Sequence, residues 1–296
     1  MSVSSETGSI ETNDGPELVV DLRDAPTSLP VIDLRPALGI VGDRYIIDDT
    51  HMAVVFDAND PIHLELIALE VQQLVDLGDE PVEARAWCEK TIGAVWIALF
   101  EQGDQLVAEN VQGILRLTGP AGSHRMLADL GVLLETSPEF LRSDIANRVG
   151  MESIEPYLDA TTLDITARGA TSKDHRFANL FRLLLLLLGT SARAASMHGF
   201  ASTTALVHPR VLKHATASGI PLRDLGYGIL RYKLSDTNTS PMETQLTLAR
   251  TDEIRAALTT DKDNFPVALV LDMMRRSGLD LFPVERDSIF NELATN

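Results

Sequence analysis

The stretch "ATTLDITARGATSKDHRFANLFRLLLLLLGTSARAASMHGFASTTALV", residues 160–207, decides the fold of this chain. It opens and closes on runs rich in Thr, Ala and aliphatic residues, which are typical of strands. Between them lies a long, very apolar segment that ends at Gly199, as a helix does. A helix that is hydrophobic on all sides must be buried, so we expect it to pack against a sheet that contains both strands.

Strands and helices alternate on both sides of this centre. Upstream, residues 51–60 predict a strand, two helical patterns follow, and two β runs around Gly103 predict an antiparallel hairpin. Downstream, residues 209–219 predict a helix, and two more strands follow before residue 250. Because the order opens with a hairpin, it predicts a mixed, mostly antiparallel α/β sheet flanked by helices, not a doubly wound parallel one. The chain also has neither G-x-G-x-x-G nor a Walker lysine loop.

Three other regions set the domain boundaries. Residues 1–35 form an acidic tail without aromatic residues, and its composition predicts disorder. The main domain is expected over residues 40–250, and residues 251–296 predict a helical extension. Within the domain, a polar, irregular section is predicted to contain one helix, over residues 124–135. The helices of the extension are predicted around residues 252–258, 265–276 and 286–293.

The composition excludes several partners and compartments. Acidic residues outnumber basic ones by 43 to 25, for a formal net charge of −18, which argues against nucleic acid or an anionic membrane as a partner. Cys88 is the single cysteine, so no internal disulfide forms, and no Cys/His spacing predicts a metal site. The N-terminal residues do not show the basic start and apolar core of a secretory signal. The aliphatic run at 183–188 is far shorter than the ~20 residues of a membrane span. We expect a cytoplasmic protein.

The order of elements resembles that of the GNAT acyltransferase fold. The middle of the chain, about residues 94–235, is similar to its acyl-homoserine-lactone (autoinducer) synthase branch, with N-acyl amino acid synthases as the nearest alternative. Three short motifs carry this resemblance. The first is a strand that ends in Arg-Leu and is followed by a Pro/Gly turn and a Met-Leu step. The second is a strand with an acid, a hydroxyl residue and an arginine, and the third is a helix that begins near an arginine and is bounded by glycines. The matching residues are Arg116, Leu117, Gly119, Pro120, Met126 and Leu127; Asp164, Thr166 and Arg168; and Arg210, Leu212, Lys213, Gly219 and Gly226.

The resemblance implies transfer of an acyl group from a CoA or acyl-carrier-protein thioester to the amine of a small metabolite. The donor is a co-substrate, and no tightly bound cofactor is implied. In the GNAT fold, two central strands part to admit the pantetheine arm of the donor, here the strands that end near Arg168 and start near Phe200. The autoinducer branch further implies a role in quorum sensing and leaves a homodimer open.

Asp164 and Arg116 are the candidate catalytic residues. Asp164 shares one strand face with Thr162 and Thr166 by the period of two, and a carboxylate inside a strand needs a purpose or a partner. It is expected to orient or deprotonate the acceptor amine, with an ion pair to Arg116 as the alternative. Arg116 is expected to hold an acceptor carboxylate in a bidentate pair, with a strand end in water as the alternative.

A second group of candidates surrounds the start of the long helix. Arg168, Gly169, Lys173 and Arg176 bring three cations and a flexible turn to a helix N-terminus, which predicts a phosphate site for the donor. The alternative is a solvated helix start capped by Ser172 or Asp174. Thr166, Arg210 and His208 are the candidate substrate-binding residues, and His208 is interpreted either as a base or as a cap of the following helix.

One alternative class remains open. The autoinducer synthases carry an N-terminal signature of Arg, Phe, Trp and paired aspartates, which has no counterpart around residues 44–90. A GNAT-like domain without catalysis would act as a binding or regulatory module, with its C-terminal helices as a docking or dimer surface. The apolar run at 183–188, Phe177 and Phe181 are interpreted as core, and Trp87 and Trp96 are assigned no role.

Overall fold

The computed structural model describes residues 42–89, 94–119, 130–131, 134–232, 237–239, 241–260 and 264–282. The predicted tail, the last predicted helix and most of the helix predicted over 124–135 lie outside these residues. Nine strands and seven α-helices are described. The strands are β1 (Arg44–Ile46), β2 (His51–Asp57), β3 (Val95–Glu101), β4 (Gly113–Thr118), β5 (Tyr157–Ile165), β6 (Ser202–Val207), β7 (Arg223–Asp224), β8 (Leu230–Tyr232) and β9 (Met242–Arg250). The helices are α1 (His63–Asp76), α2 (Pro81–Glu89), α3 (Pro138–Val149), α4 (Lys173–His198), α5 (Pro209–Ala217), α6 (Thr251–Thr260) and α7 (Phe265–Ser277).

The strands form one mixed sheet in the order β1-β2-β3-β4-β5-β6-β9-β7, with β8 also pairing β9. Every neighbouring pair is antiparallel except β5 and β6, which are parallel and joined by α4. The predicted hairpin is present as β3 and β4, although its connection is longer than a tight turn and includes a short 3₁₀ segment at Ala108–Asn110. The predicted mixed, mostly antiparallel α/β sheet flanked by helices is confirmed.

Helices cover both faces of the sheet. α4, α5, α6 and α7 contribute to one large apolar cluster with alternate residues of the strands, including Ile97, Leu115 and Leu158. The intervening residues point to the other face, where Trp96 and Ile114 pack under α1 and α2, and Tyr157 packs with α3. Strand β5 therefore lies between the part of that face covered by α1 and α2 and the part covered by α3.

The long helix α4 is the core of the molecule. Ser172 caps its start, and Gly199 ends it in the left-handed conformation at φ 70°. By length and composition it is the one helix among the described residues that could span a membrane, yet 72% of that stretch is buried inside the molecule. All six leucines at 183–188 are buried against the sheet and the C-terminal helices, and Phe181 packs against them, so their assignment to the core is confirmed. The assignment of Phe177 to the core is wrong, because its side chain is exposed.

Helix α3 was not predicted, because the sequence places its helix earlier, over residues 124–135. The termini of α3 carry clear signals: Ser137 accepts a hydrogen bond from the Phe140 amide, Pro138 occupies the first turn, and Gly150 closes the helix at φ 68°. Its buried face is narrow, formed by Leu141, Ile145, Ala146 and Val149. A polar helix with about one large apolar residue per turn leaves little periodicity to detect.

Candidate active site

Strands β5 and β6 part near the middle of the sheet. They pair over four residues, from Tyr157↔Ser202 to Ala160↔Ala205, although β5 continues to Ile165 and β6 to Val207. The first four residues of β5 are buried, whereas residues 161–164 are half-buried. We call the opening between residues 161–165 of β5 and residues 206–207 of β6 the fork. The parting predicted between these two strands is therefore present.

A β-bulge lies where the fork begins. Arg116 of β4 pairs with Thr162, and Leu117 pairs with Ala160, so Thr161 is an extra residue in β5. A bulge bends its strand and increases the local twist. Because the bulge follows directly after the last pair with β6, it accounts for the departure of β5 from its neighbour.

The side chain of Arg116 is fully buried behind this bulge. Its Nη1 lies 2.7 Å from Oε2 of Glu70 on α1, and both side chains are buried, with 0% and 2% of their surface exposed. Its Nε donates to Oγ1 of Thr161 at 3.0 Å, and Nη1 also approaches the carbonyl oxygen of Cys88 at 3.3 Å. The alternative that placed Arg116 at a strand end in water is wrong, since a neighbouring helix pairs and covers it.

Two tryptophans enclose the guanidinium of Arg116. Its central carbon lies 5.0 Å from the ring of Trp87 on α2 and 5.9 Å from the ring of Trp96 on β3. Cation–π attraction of this kind strengthens when water is excluded. Sequence reasoning assigned neither tryptophan a role and missed Glu70 altogether. The available signal was an acid in the buried stripe of α1, between Leu66 and Val71.

Burial and charge act in opposite directions on Glu70. Removal from water raises its pKa above the usual range, and Arg116, Thr162 and Trp96 lower it. The desolvation effect is the largest of these. The 2.7 Å contact with Arg116 offsets part of this desolvation, so removing either partner would leave the other buried without its counter-charge.

Asp164 lies two residues beyond Thr162 on the same face of β5. Its Oδ1 accepts a hydrogen bond from the Ile165 amide at 2.7 Å. Burial raises its pKa to about 6, Glu70 adds to this, and the Ile165 amide and Arg176 oppose it. The alternative ion pair between Asp164 and Arg116 is wrong, because Arg116 pairs with Glu70. The carboxyl group is thus poised to exchange a proton near neutral pH.

The turn between β5 and α4 is fixed to the end of the β3–β4 hairpin. Thr166 donates from its amide to the Gln112 carbonyl at 3.1 Å and from Oγ1 to the Val111 carbonyl at 2.5 Å. A Cβ on Gly169 would lie 1.9 Å from the same Gln112 carbonyl oxygen, so glycine is required there. Asn179 of α4 donates to both Gly169 and Gln112. Thr166 and Gly169 are therefore structural elements of the turn.

The cations predicted for phosphate binding surround this turn. Arg168 is half-exposed and pairs with Asp104 at 3.2 Å, and Lys173 and Arg176 are exposed on the first turn of α4. Oγ of Ser172 accepts from the His175 amide at 3.1 Å, which confirms the predicted cap. A cap and a phosphate site are compatible, since the cap satisfies one amide of the helix start. Phosphate binding by these residues stays a prediction.

His208 and Arg210 lie at the end of β6, on the same sheet edge as this turn. Both are exposed, and the His208 ring accepts a hydrogen bond from the Arg210 amide at 3.2 Å, which makes His208 the cap of α5. One turn further, His214 of α5 meets Phe177 of α4 edge-on, with ring centroids 5.2 Å apart. The starts of α4 and α5 thus flank the mouth of the fork.

A further acid at the base of the fork was also missed. Asp159 is fully buried and accepts a hydrogen bond from the Thr204 hydroxyl of β6, directly opposite in the register. This contact spans the two strands one pair before they part.

No group of three His, Cys, Asp or Glu side chains among the described residues could hold a metal ion.

No protein-family model and no curated protein matches the chain. It is similar to the solved structure of FeeM, an N-acyl amino acid synthase from uncultured soil microbes, at a TM-score of 0.43 and 12% identity over 70% of this chain and 94% of that one. It is also similar to a probable GNAT-family acetyltransferase from Chromobacterium violaceum, at a TM-score of 0.37 and 10% identity over 86% of this chain and 100% of that one. For BjaI, a CoA-dependent acyl-homoserine lactone synthase solved with SAM and isopentyl-CoA, the TM-score is 0.36 and the identity 16%, over 81% of this chain and 99% of that one.

Proposed function

We propose that this chain is an N-acyltransferase that moves an acyl group from a thioester donor to the amine of a small metabolite. The observation that carries the proposal is the fork. A parallel pair in the centre of a sheet normally continues to the ends of its strands, because unpaired backbone groups in a sheet are costly. Here β5 runs five residues past its last partner in β6. An extended ligand with amide groups, such as a pantetheine arm, would pair with this free edge.

The sheet edge beyond the fork supports the binding of the donor's phosphates. Arg168, Lys173 and Arg176 lie at the start of α4, whose N-terminal amides and dipole favour anions. This is a local excess of positive charge in a chain with a net charge of −18. The overall charge opposes docking of an acidic carrier protein, so we propose CoA as the donor, with acyl-carrier protein as the alternative.

The reaction needs one proton acceptor and donors for one oxyanion. The amine nitrogen attacks the thioester carbonyl carbon, the new C–N bond forms, and the C–S bond breaks to release CoA as a thiol. The proton that the amine loses balances the proton that the thiolate gains. Asp164 is the proposed base, because its raised pKa of about 6 leaves it ionised at neutral pH yet more basic than an ordinary carboxylate. A bulge leaves backbone groups outside the ladder, and the amides near Thr161 are the proposed oxyanion donors.

The acceptor distinguishes two forms of this proposal. An autoinducer synthase closes its product to a lactone and serves quorum sensing, whereas an N-acyl amino acid synthase leaves an open acyl amide. Of these two forms we favour autoinducer-like synthesis, with N-acyl amino acid synthesis as the alternative. The proposed location is the cytoplasm. A homodimer and substrate binding by Arg210 and His208 are proposed with it.

The test is thiol release by the purified full chain. A panel of acyl-CoAs of different length is offered with amino acids and S-adenosylmethionine, and free thiol and acylated products are followed by absorbance and mass spectrometry. Release that depends on both donor and acceptor supports the proposal, and the product mass separates lactone from acyl amide. Tight acyl-CoA binding without turnover would instead favour the binding module. The absence of both binding and turnover would refute the acyltransferase proposal.

A further inference from the structure

The ion pair between Glu70 and Arg116 is an expensive element for a protein core. Both side chains are removed from water, and Arg116 Nη2 makes no hydrogen bond with the described residues. Replacing such a buried pair by apolar residues of similar size is often neutral or stabilising. The pair is therefore poorly explained as a source of stability, and its geometry points to another role.

The contacts of Arg116 converge on the bulge. Nε donates to Oγ1 of Thr161 at 3.0 Å, and the same hydroxyl approaches the Arg116 carbonyl oxygen at 3.4 Å. One residue of β4 thus holds the extra residue of β5 from both its side chain and its main chain. Glu70 on α1 and the Cys88 carbonyl at the end of α2 hold the guanidinium in turn.

We propose that Glu70 and Arg116 are positioning residues that clamp the bulge at Thr161 and so hold the fork open in the shape that receives the donor. This rests on the proposed acyltransferase function. An opening formed by two strand ends loses its preorganisation if the bulge can shift along β5, and binding then bears the cost of ordering it. The clamp removes that cost, because α1 and α2 fix the arginine and the arginine fixes the bulge.

The proposal reverses the expectation that Arg116 binds the acceptor. Nε and Nη1 are both used within the protein, and the whole side chain has no exposed surface. A bidentate pair with a substrate carboxylate would require the arginine to leave Glu70. Arg116 therefore acts through Thr161 on the donor, and loss of the clamp should weaken donor binding.

The decisive variant replaces both charges with methionine, E70M together with R116M. A pair that served only stability would leave this variant folded and fully able to bind, since no buried charge is left unpaired. If the clamp is correct, urea unfolding should show that this variant is folded. Its affinity for a non-hydrolysable acyl-CoA thioether should nevertheless fall about 100-fold. The milder T161V removes only the hydroxyl contacts, and calorimetry should show an affinity loss of about tenfold.

A matched control changes another ion pair between α4 and the start of the sheet. Arg193 and Asp43 lie 3.4 Å apart and are mostly buried, but they do not touch the fork. R193M with D43N should change the unfolding midpoint and leave acyl-CoA affinity at the wild-type value. Hydrogen exchange adds a readout without ligand: the amides of residues 161–165 should exchange faster in T161V and in the double methionine variant, while residues 157–160 stay unchanged.

Two outcomes overturn the clamp. If the double methionine variant folds and binds the thioether as tightly as wild type, Glu70 and Arg116 do not set the fork. Unchanged exchange at residues 161–165 in both variants also excludes the clamp, even where the wild type binds no acyl-CoA at all. Failure of the wild type to bind refutes the acyltransferase instead, so the two proposals fail separately.

Discussion

The two halves of strand β5 differ in almost every respect. Residues 157–160 pair with β6 and are buried, and Asp159 and Ala160 also pair with β4. Residues 162–165 pair only with β4, Thr161 is the bulge residue, and residues 161–164 are half-buried. Each half also carries an acid. Asp159 is held by Thr204 across the paired seam, and Asp164 accepts from its neighbouring amide beyond it. A single strand thus provides scaffold and site, and the bulge at Thr161 is the boundary.

This contrast shows how a site can be built without an added loop. The paired half fixes the direction of β5, so the free half needs only the bulge and the turn at its far end to be held in place. The turn is fixed by Gln112, and the bulge is held by Arg116. Perturbing one half while sparing the other therefore separates function from stability.

The largest effect is expected from Asp164→Asn in the free half. Loss of the proposed base should lower kcat by about 100-fold or more without unfolding the protein. In the wild type the rate should fall as pH drops through about 6, where Asp164 becomes protonated. That acid limb should vanish in the variant. Asp76→Asn, at an exposed carboxylate on α1, is the control, and a full rate in Asp164→Asn would exclude this residue as the base.

A smaller effect, on stability, is expected at the turn that ends the free half. Gly169→Ala places a Cβ 1.9 Å from the Gln112 carbonyl oxygen, and relief of that clash should cost roughly 1–3 kcal/mol of unfolding free energy. Gly189→Ala in α4 is the matched control, because its Cβ would meet no backbone atom: the flexible end of Met273 lies at 3.0 Å, and Val270 and Met274 lie at ordinary contact distances of 3.4 and 3.6 Å. Urea unfolding should show loss for the first and little change for the second. Equal midpoints would contradict the close approach.

The pH dependence of stability should sharpen the contrast further. At pH values well below 3.8 the Asp164 carboxyl is protonated in both the folded and the unfolded state, so it does not change the free energy of unfolding. As pH rises to about 6 the unfolded state ionises first, so this group removes stability from the folded protein. Asp164→Asn should therefore be more stable than wild type at pH 7, by roughly 1–2 kcal/mol, and the gain should disappear near pH 4. A gain independent of pH would contradict the raised pKa.

The smallest effect is expected from Arg176→Gln at the mouth of the fork. One exposed cation contributes roughly 1 kcal/mol to a phosphate contact, so KM for acyl-CoA should rise a few-fold and the difference should shrink in high salt. Arg176 also lowers the pKa of Asp164, so the acid limb of the rate profile should move to higher pH. Arg85→Gln, at an exposed position on α2, should change neither. An unchanged KM would remove Arg176 from the donor site.

Much of the fold follows from local pattern. The long apolar segment predicted α4 with its closing Gly199, and the runs beside it predicted the strands β5 and β6. That these strands part was implied by the resemblance to the GNAT fold. These features depend on residues close in sequence. Helix α3 escaped because its apolar face is narrow, although Ser137 and Gly150 marked both of its ends.

The candidate site was less accessible, because its key contacts are distant in sequence. Glu70 and Arg116 are separated by 46 positions and meet only when α1 packs on β4. Without that packing, Arg116 resembles a ligand-binding arginine with Asp164 as its partner. The bulge is equally hidden, since nothing in "ATTLD" shows which residue of the strand is the extra one. Residue types suggested the chemistry, and tertiary packing decided the pairing.

The short seam between β5 and β6 has a practical consequence for engineering. A blind screen for heat-resistant variants would reward any substitution that extends this seam past Ala160 and Ala205, since each new ladder bond adds cohesion to the sheet. Every such gain would narrow the proposed entrance for the acyl donor. The most heat-resistant clones of that screen should therefore be its weakest catalysts.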